Sequence, residues 1–137
     1  MPQRAAASTP GASAYEPLIL LAEDDEDIVE LVSFRLERSG YRVARAHDGA
    51  EAVGLVQELR PDLAVFDISM PVMSGLEATR ILRDDPATAS LPIILLTARV
   101  TPGDIAAGIE AGATAYVTKP FSPQDLSSRI AGVLGDA

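Results

Sequence analysis

The chain contains no cysteine, which excludes disulfides, thiolate catalysis and zinc sites built on sulfur, and fits a reducing, cytoplasmic setting. No apolar run approaches the roughly 18 residues needed to cross a bilayer. Basic residues are few: 11 Lys and Arg stand against 20 Asp and Glu, for a net charge of -9. That excess opposes the attraction behind non-specific nucleic-acid binding, so no direct grip on DNA is expected. Neither G-x-G-x-x-G nor G-x-x-x-x-G-K-[ST] occurs, which removes the dinucleotide and P-loop readings. The single histidine, His47, reads as part of a surface loop and carries no expected chemistry.

What remains is a chain of 137 residues, 47% hydrophobic, long enough for one filled core and too short for two ordinary domains. Residues 1–16, MPQRAAASTPGASAYE, lack an apolar signal core and read as a disordered lead-in, leaving residues 17–137 as the domain. From Leu18 onward, short apolar runs alternate with amphipathic stretches. The runs Leu18 to Ala22, Tyr41 to Ala46, Leu63 to Phe66, Pro92 to Leu96 and Ala115 to Val117 are candidate strands. Helix starts are marked by a cap residue with a carboxylate three positions on: Asp48 with Glu51, Ser74 with Glu77, Thr101 with Asp104, and Ser122 with Asp125. Pro102 and Pro123 follow two of these caps, and Gly40 and Gly112 follow the first and fourth helices as stops. Ile28, Val32 and Leu36 share a face of the first helix, as do Leu126, Ile130, Val133 and Leu134 in the last. Five βα units in succession predict an α/β fold: a (βα)5 doubly wound parallel sheet in the flavodoxin-like order 2-1-3-4-5.

Ligands of such a sheet bind beyond the carboxyl ends of the strands, where the strand order switches. Glu23, Asp24 and Asp25 follow the first strand, and Asp67 follows the third. Taken alone, the acids from Glu23 to Asp27 fit a helix N-terminus favoured by the macrodipole as well as they fit a site. Asp67 changes the balance, because like charges converging across a short gap need a cation, and an oxygen-rich set suits Mg²⁺. Thr97 and Lys119 end the fourth and fifth strands at the same edge. Each alone fits a structural role, yet metal, ammonium and hydroxyl together are the groups that neutralise a phosphoryl group in transfer to an aspartate.

The strings LILLAEDDEDI, VFDISMPVMSGLE, IILLTA and AYVTKPF, in that order at successive strand ends, resemble the receiver domains of response regulators in two-component signalling, from Leu18 to about Leu134. The resemblance implies a switch, not an enzyme with turnover. Asp67 is then the phosphorylated residue, and Glu23 and Asp24 bind Mg²⁺ together with Asp67 and the backbone carbonyl of Ser69. Thr97 and Tyr116 are the switch pair, Lys119 pairs with phosphoryl oxygens, and the Lys119-Pro120 bond is cis. Met70, Pro71 and Gly75 match the loop after the acceptor. The implied donor is a histidine kinase or histidine phosphotransfer protein. The implied output is a target protein bound in trans through the fourth helix, fifth strand and fifth helix, since the sequence stops at Ala137 after the fifth helix.

The winged-helix branch of the family dimerises through acids before the switch aromatic. Thr114 and Ala115 stand there, although Asp125 and Arg129 fit, so a monomer or weak dimer is expected. The fourth helix, rich in Ala and Gly with Ile105 and Ile109 as its large apolar residues, reads as a mobile docking face. Three alternatives stay open: an adaptor on the same fold that signals without phosphorylation, a receiver fragment of a larger regulator, and a flavodoxin-like cofactor protein. The last is disfavoured by three acids where a phosphate would bind.

Overall fold

A computed structural model describes residues 16–98 and 101–135. The lead-in expected over residues 1–16 lies outside the described residues, apart from Glu16. Five strands, β1 (Leu18–Ala22), β2 (Arg42–Ala46), β3 (Leu63–Asp67), β4 (Ile93–Thr97) and β5 (Ala115–Thr118), alternate with five helices. These are α1 (Glu26–Arg38), α2 (Gly49–Leu59), α3 (Gly75–Asp84), α4 (Pro102–Ala111) and α5 (Pro123–Leu134). The strands form one parallel sheet in the order β2-β1-β3-β4-β5, as the pattern of βα units predicts.

The core follows from the two-residue period of a strand. Ile19, Leu21, Leu63, Val65, Ile94 and Leu96 point to one face, where Val32 and Leu36 of α1 and Leu126 and Ile130 of α5 cover them. Their strand neighbours Leu20, Ala64, Phe66, Ile93 and Leu95 point to the other, under Val56 of α2 and Leu82 of α3. Burial on both faces explains why β1, β3 and β4 read as unbroken apolar runs rather than alternating ones.

Each expected cap is made. The side chains of Asp48, Ser74, Thr101 and Ser122 accept from the N–H groups of Glu51, Glu77, Asp104 and Asp125 at 2.8, 3.2, 3.1 and 3.0 Å. Gly40 and Gly112 adopt φ of 97° and 103°, the left-handed conformation that ends a helix. Two strands begin one residue later than the apolar runs. The Tyr41 N–H turns back to the Leu36 carbonyl at the end of α1 (3.1 Å), and Pro92 has no N–H to give, although its carbonyl accepts from Ala64 (2.9 Å). At the other end, β3, β4 and β5 each run one residue further than the apolar runs, to Asp67, Thr97 and Thr118.

Thr114 has a different task from the acids of the winged-helix branch. Its Oγ1 accepts from the Ile93 N–H at 3.0 Å, while Arg83 on α3 donates from Nε to the Gly112 carbonyl at 2.9 Å and fastens the end of α4.

Leu36 is fully buried and Ile109 is 66% exposed. Leu36→Ala should therefore lower the unfolding free energy by about 2–5 kcal/mol, against less than about 0.5 kcal/mol for Ile109→Ala, as urea denaturation measures.

Candidate functional site

The carboxyl ends of β1, β3, β4 and β5 converge on one pocket. Glu23 follows β1 directly, and its N–H donates to the Ala46 carbonyl at the end of β2 (3.1 Å). Asp67 is not beyond its strand, as the apolar run predicts, but is the last member of β3, and Thr97 is the last member of β4. In the ladder Asp67 pairs with Leu96 and Thr97 with Thr118, so sheet register rather than a loop fixes both side chains. Lys119 is tied in by its own N–H, which donates to the Thr97 carbonyl at 2.8 Å.

The Lys119 Nζ lies 3.1 Å from Glu23 Oε1 and 3.2 Å from Asp67 Oδ2, bridging two carboxylates that are almost wholly buried. Asp24 is exposed at the rim, and one carboxylate oxygen from each of Glu23, Asp24 and Asp67 lies within 4.8 Å of the others. The electrostatics of this cluster are unbalanced. Burial, with Asp67 nearby, pushes the Glu23 carboxyl from 4.5 up to about 7, against the pull of the Asp25 N–H and Lys119. Burial also works against the charge on Lys119, but the two carboxylates outweigh it and hold the ammonium above its ordinary range. One ammonium does not complete the set: Glu23 Oε1 is buried and receives no properly directed hydrogen bond. Glu23 Oε2, by contrast, accepts from the Asp25 N–H at 3.1 Å.

Asp25 contributes its backbone N–H to the cluster but not its carboxylate. It caps α1, its Oδ1 accepting from the N–H groups of Asp27 and Ile28. His47 is on the surface as expected, facing Glu26 at 3.4 Å and Glu51 at 3.2 Å.

The loop after Asp67 is held by close backbone approaches. A Cβ on Gly75 would stand 2.5 Å from the Asp67 carbonyl oxygen, and its N–H donates to the Ile68 carbonyl (3.0 Å). Across the loop, Gly49 at the start of α2 donates to the Met73 carbonyl (3.0 Å), and a Cβ there would stand 2.9 Å from Met73 Cβ. Between them Val72 takes φ of 69°, and the Met73 N–H closes a tight turn onto the Pro71 carbonyl at 2.7 Å. A β-branched residue there is strained, and such strain persists only where the surroundings enforce it. The cleft this loop borders is also lined by Ser69, Met70, Thr97, Asp104 and Lys119. The Lys119-Pro120 bond is cis.

Tyr116 stands three residues before Lys119, with its hydroxyl donating to the Ile105 carbonyl of α4 at 2.6 Å. Burial pushes this phenol above its ordinary range. The reach of Tyr116 onto α4 and the support from Gly49 have no periodic signature. Their available signals are a glycine inside a helix, at Gly108, and one at the first helical turn, at Gly49.

The family model for the response regulator receiver domain matches residues 19–131. The alkaline phosphatase synthesis transcriptional regulatory protein PhoP of Bacillus subtilis is 41% identical over 116 residues, 85% of this chain and 48% of that protein. The phosphate regulon transcriptional regulatory protein PhoB of Klebsiella pneumoniae is 40% identical, again over 85% of this chain and 51% of its own length. The chain thus spans about half the length of these curated relatives. A response regulator structure from Chloroflexus aurantiacus superposes with a TM-score of 0.83 at 35% identity, covering 88% of this chain and 99% of that one. The receiver domain of the sensor histidine kinase PA1611 from Pseudomonas aeruginosa, solved with a magnesium ion in its active-site cleft, gives 0.81 at 33% identity over 88% of this chain and 99% of that one. Since the family match over residues 19–131 takes in every strand end that sends a side chain into the pocket, the chain belongs to the response regulator receiver domain family.

Proposed function

We propose that the chain is a phosphorylation switch, not a turnover enzyme, in which Asp67 accepts a phosphoryl group from a phospho-histidine on a histidine kinase or phosphotransfer protein. The observation that carries this reading is Lys119 held 3.1 and 3.2 Å from the buried carboxylates of Glu23 and Asp67. An Asp67 oxygen forms the bond to phosphorus as the phosphorus–nitrogen bond breaks and its electron pair returns to the imidazole. Lys119 neutralises one phosphoryl oxygen, and the Thr97 hydroxyl is placed at the strand end to donate to another.

The donor set fits Mg²⁺. Glu23, Asp24 and Asp67 supply hard oxygens that lie within 4.8 Å of one another, and Ser69, whose backbone carbonyl is the remaining candidate ligand, lines the same cleft. When bound, Mg²⁺ supplies charge neutralisation for the carboxylates and the phosphoryl oxygens.

Lys119 also borders a second, apolar groove of about 400 Å³ formed by Ile28, Leu31, Ala98, Pro120, Phe121 and Pro123. A groove that shares Ala98 and Lys119 with the acceptor cleft favours a donor carried on a protein over a free metabolite. Output is read by a target protein at α4, β5 and α5, where Ile105 and Ile109 face outward. Phosphorylation shifts Thr97 and Tyr116 and with them the populations of that surface. Among the described residues no helix is long and apolar enough to span a membrane, and a cytoplasmic site of action accords with this reading.

Radiolabelled acetyl phosphate should label the wild-type chain in the presence of Mg²⁺ and leave Asp67→Asn unlabelled. Equal labelling of both proteins would move the acceptor elsewhere. Metal-free, the folded chain keeps a proton on Glu23 to about pH 7, against 4.5 for an ordinary carboxyl. The stability this proton confers is complete below 4.5 and lost as pH rises through about 7. Urea denaturation across that range should therefore show a falling stability, which Glu23→Gln flattens and saturating Mg²⁺ offsets.

A further inference from the structure

The interior of α4 contains a glycine, Gly108, where an alanine favours the helix by roughly 1 kcal/mol. Its neighbours Ala106 and Ala107 show that small residues with a Cβ are accepted in this helix. Position 108 differs in what lies against it. Gly108 is buried beneath the ring of Tyr116, and a Cβ there would overlap the phenol oxygen and Cζ and stand 2.7 Å from Cε1. The missing side chain opens a notch in the helix, and the ring occupies it. At the bottom of the notch the hydroxyl donates to the Ile105 carbonyl at 2.6 Å, with the Asp104 carbonyl 3.2 Å away.

This contact joins the two ends of the switch. Asp104, whose carbonyl lies against the Tyr116 hydroxyl, also borders the cleft that holds Asp67 and Thr97. The far end of α4 is fastened separately, by Arg83 on the Gly112 carbonyl at 2.9 Å. The helix is thus held at its C-terminus by α3 and nearer its N-terminus by one phenol.

We propose that Gly108 is the positioning residue that sets the resting place of Tyr116: its notch lets the phenol dock on the α4 backbone, and the side-chain volume at 108 sets the balance between the docked and released states. The inference rests on the reading of Tyr116 as a switch. A ring that leaves the notch gives up its hydrogen bond to α4, so release of Tyr116 and loosening of the first turns of α4 are one event. Any change that disfavours docking shifts the free protein toward the released state and, by linkage, tightens binding of a phosphoryl group or its mimic.

The test is solution NMR on the full chain as wild type, Gly108→Ala, Tyr116→Phe and the double variant, each titrated with beryllofluoride in the presence of Mg²⁺. In resting wild type, nuclear Overhauser contacts join the Tyr116 ring to the Gly108 backbone. In Gly108→Ala these contacts disappear while the sheet amides keep their shifts, and beryllofluoride binds about fivefold tighter, the size expected for losing one ordinary hydrogen bond. Tyr116→Phe removes the same hydrogen bond with no change to the helix, so it gives a similar gain even if Gly108→Ala fails to fold. The two substitutions combined gain no more than either alone. A wild type that binds the mimic while both single variants keep its affinity, or while the double variant is additive, overturns the notch. A wild type that gives no response to the mimic overturns the phospho-switch reading itself, and the inference falls with it.

Discussion

Two carboxylates held out of water beside a single ammonium are the constraint on which this domain is organised. Burial, with the Asp67 charge beside it, drives Glu23 toward its protonated form, and Asp67 sits against the same Lys119. Charges in such a place are costly unless they are paired and fully hydrogen-bonded, and here one oxygen is left without a directed partner. With both carboxyls ionised the pair outweighs the one ammonium, and the fold maintains that excess. Register holds Asp67 and Thr97, the backbone of Thr97 holds Lys119, and the end of β2 holds Glu23. A pocket built this way favours a divalent cation and, with it, a tetrahedral anion.

The rest of the molecule supports and transmits that condition. The parallel sheet brings four strand ends to one edge because each crossover returns the chain in the same direction. Two glycines let the backbone pass within contact distance around the loop after Asp67, and a strained Val72 lies between them. A third glycine admits Tyr116 to α4. Side-chain absence at Gly49, Gly75 and Gly108 is thus a positive structural element, since each position holds another group where a Cβ would otherwise stand.

What was legible in the sequence was whatever depends on near neighbours. Asp48, Ser74, Thr101 and Ser122 announce their helices because a cap and its N–H partner lie within three residues. The apolar runs give the strands for the same reason, and differ from them by one residue at their ends: Tyr41 and Pro92 have their backbone groups engaged or missing, and the polar Asp67, Thr97 and Thr118 continue the ladder. The edge that holds the pocket was legible from topology, since Asp67 and Thr97 end strands and Glu23 and Lys119 directly follow them. Contacts between distant segments were not. Nothing local shows that Gly49 meets Met73, that Arg83 fastens the end of α4, or that Tyr116 rests on Ile105. Asp25, a neighbour of the metal-binding pair with no direct role expected in it, uses its carboxylate to cap α1.

The most direct test of the central claim is a Mg²⁺ titration of the metal-free chain followed through backbone amide shifts. A pocket short of positive charge predicts saturable changes confined to residues 23–25 and 67–69 and to Lys119, with one apparent dissociation constant throughout. Shifts that grow without saturating and spread over the exposed acids of the surface would contradict it, because they would show an ordinary ion atmosphere around a protein of net charge -9.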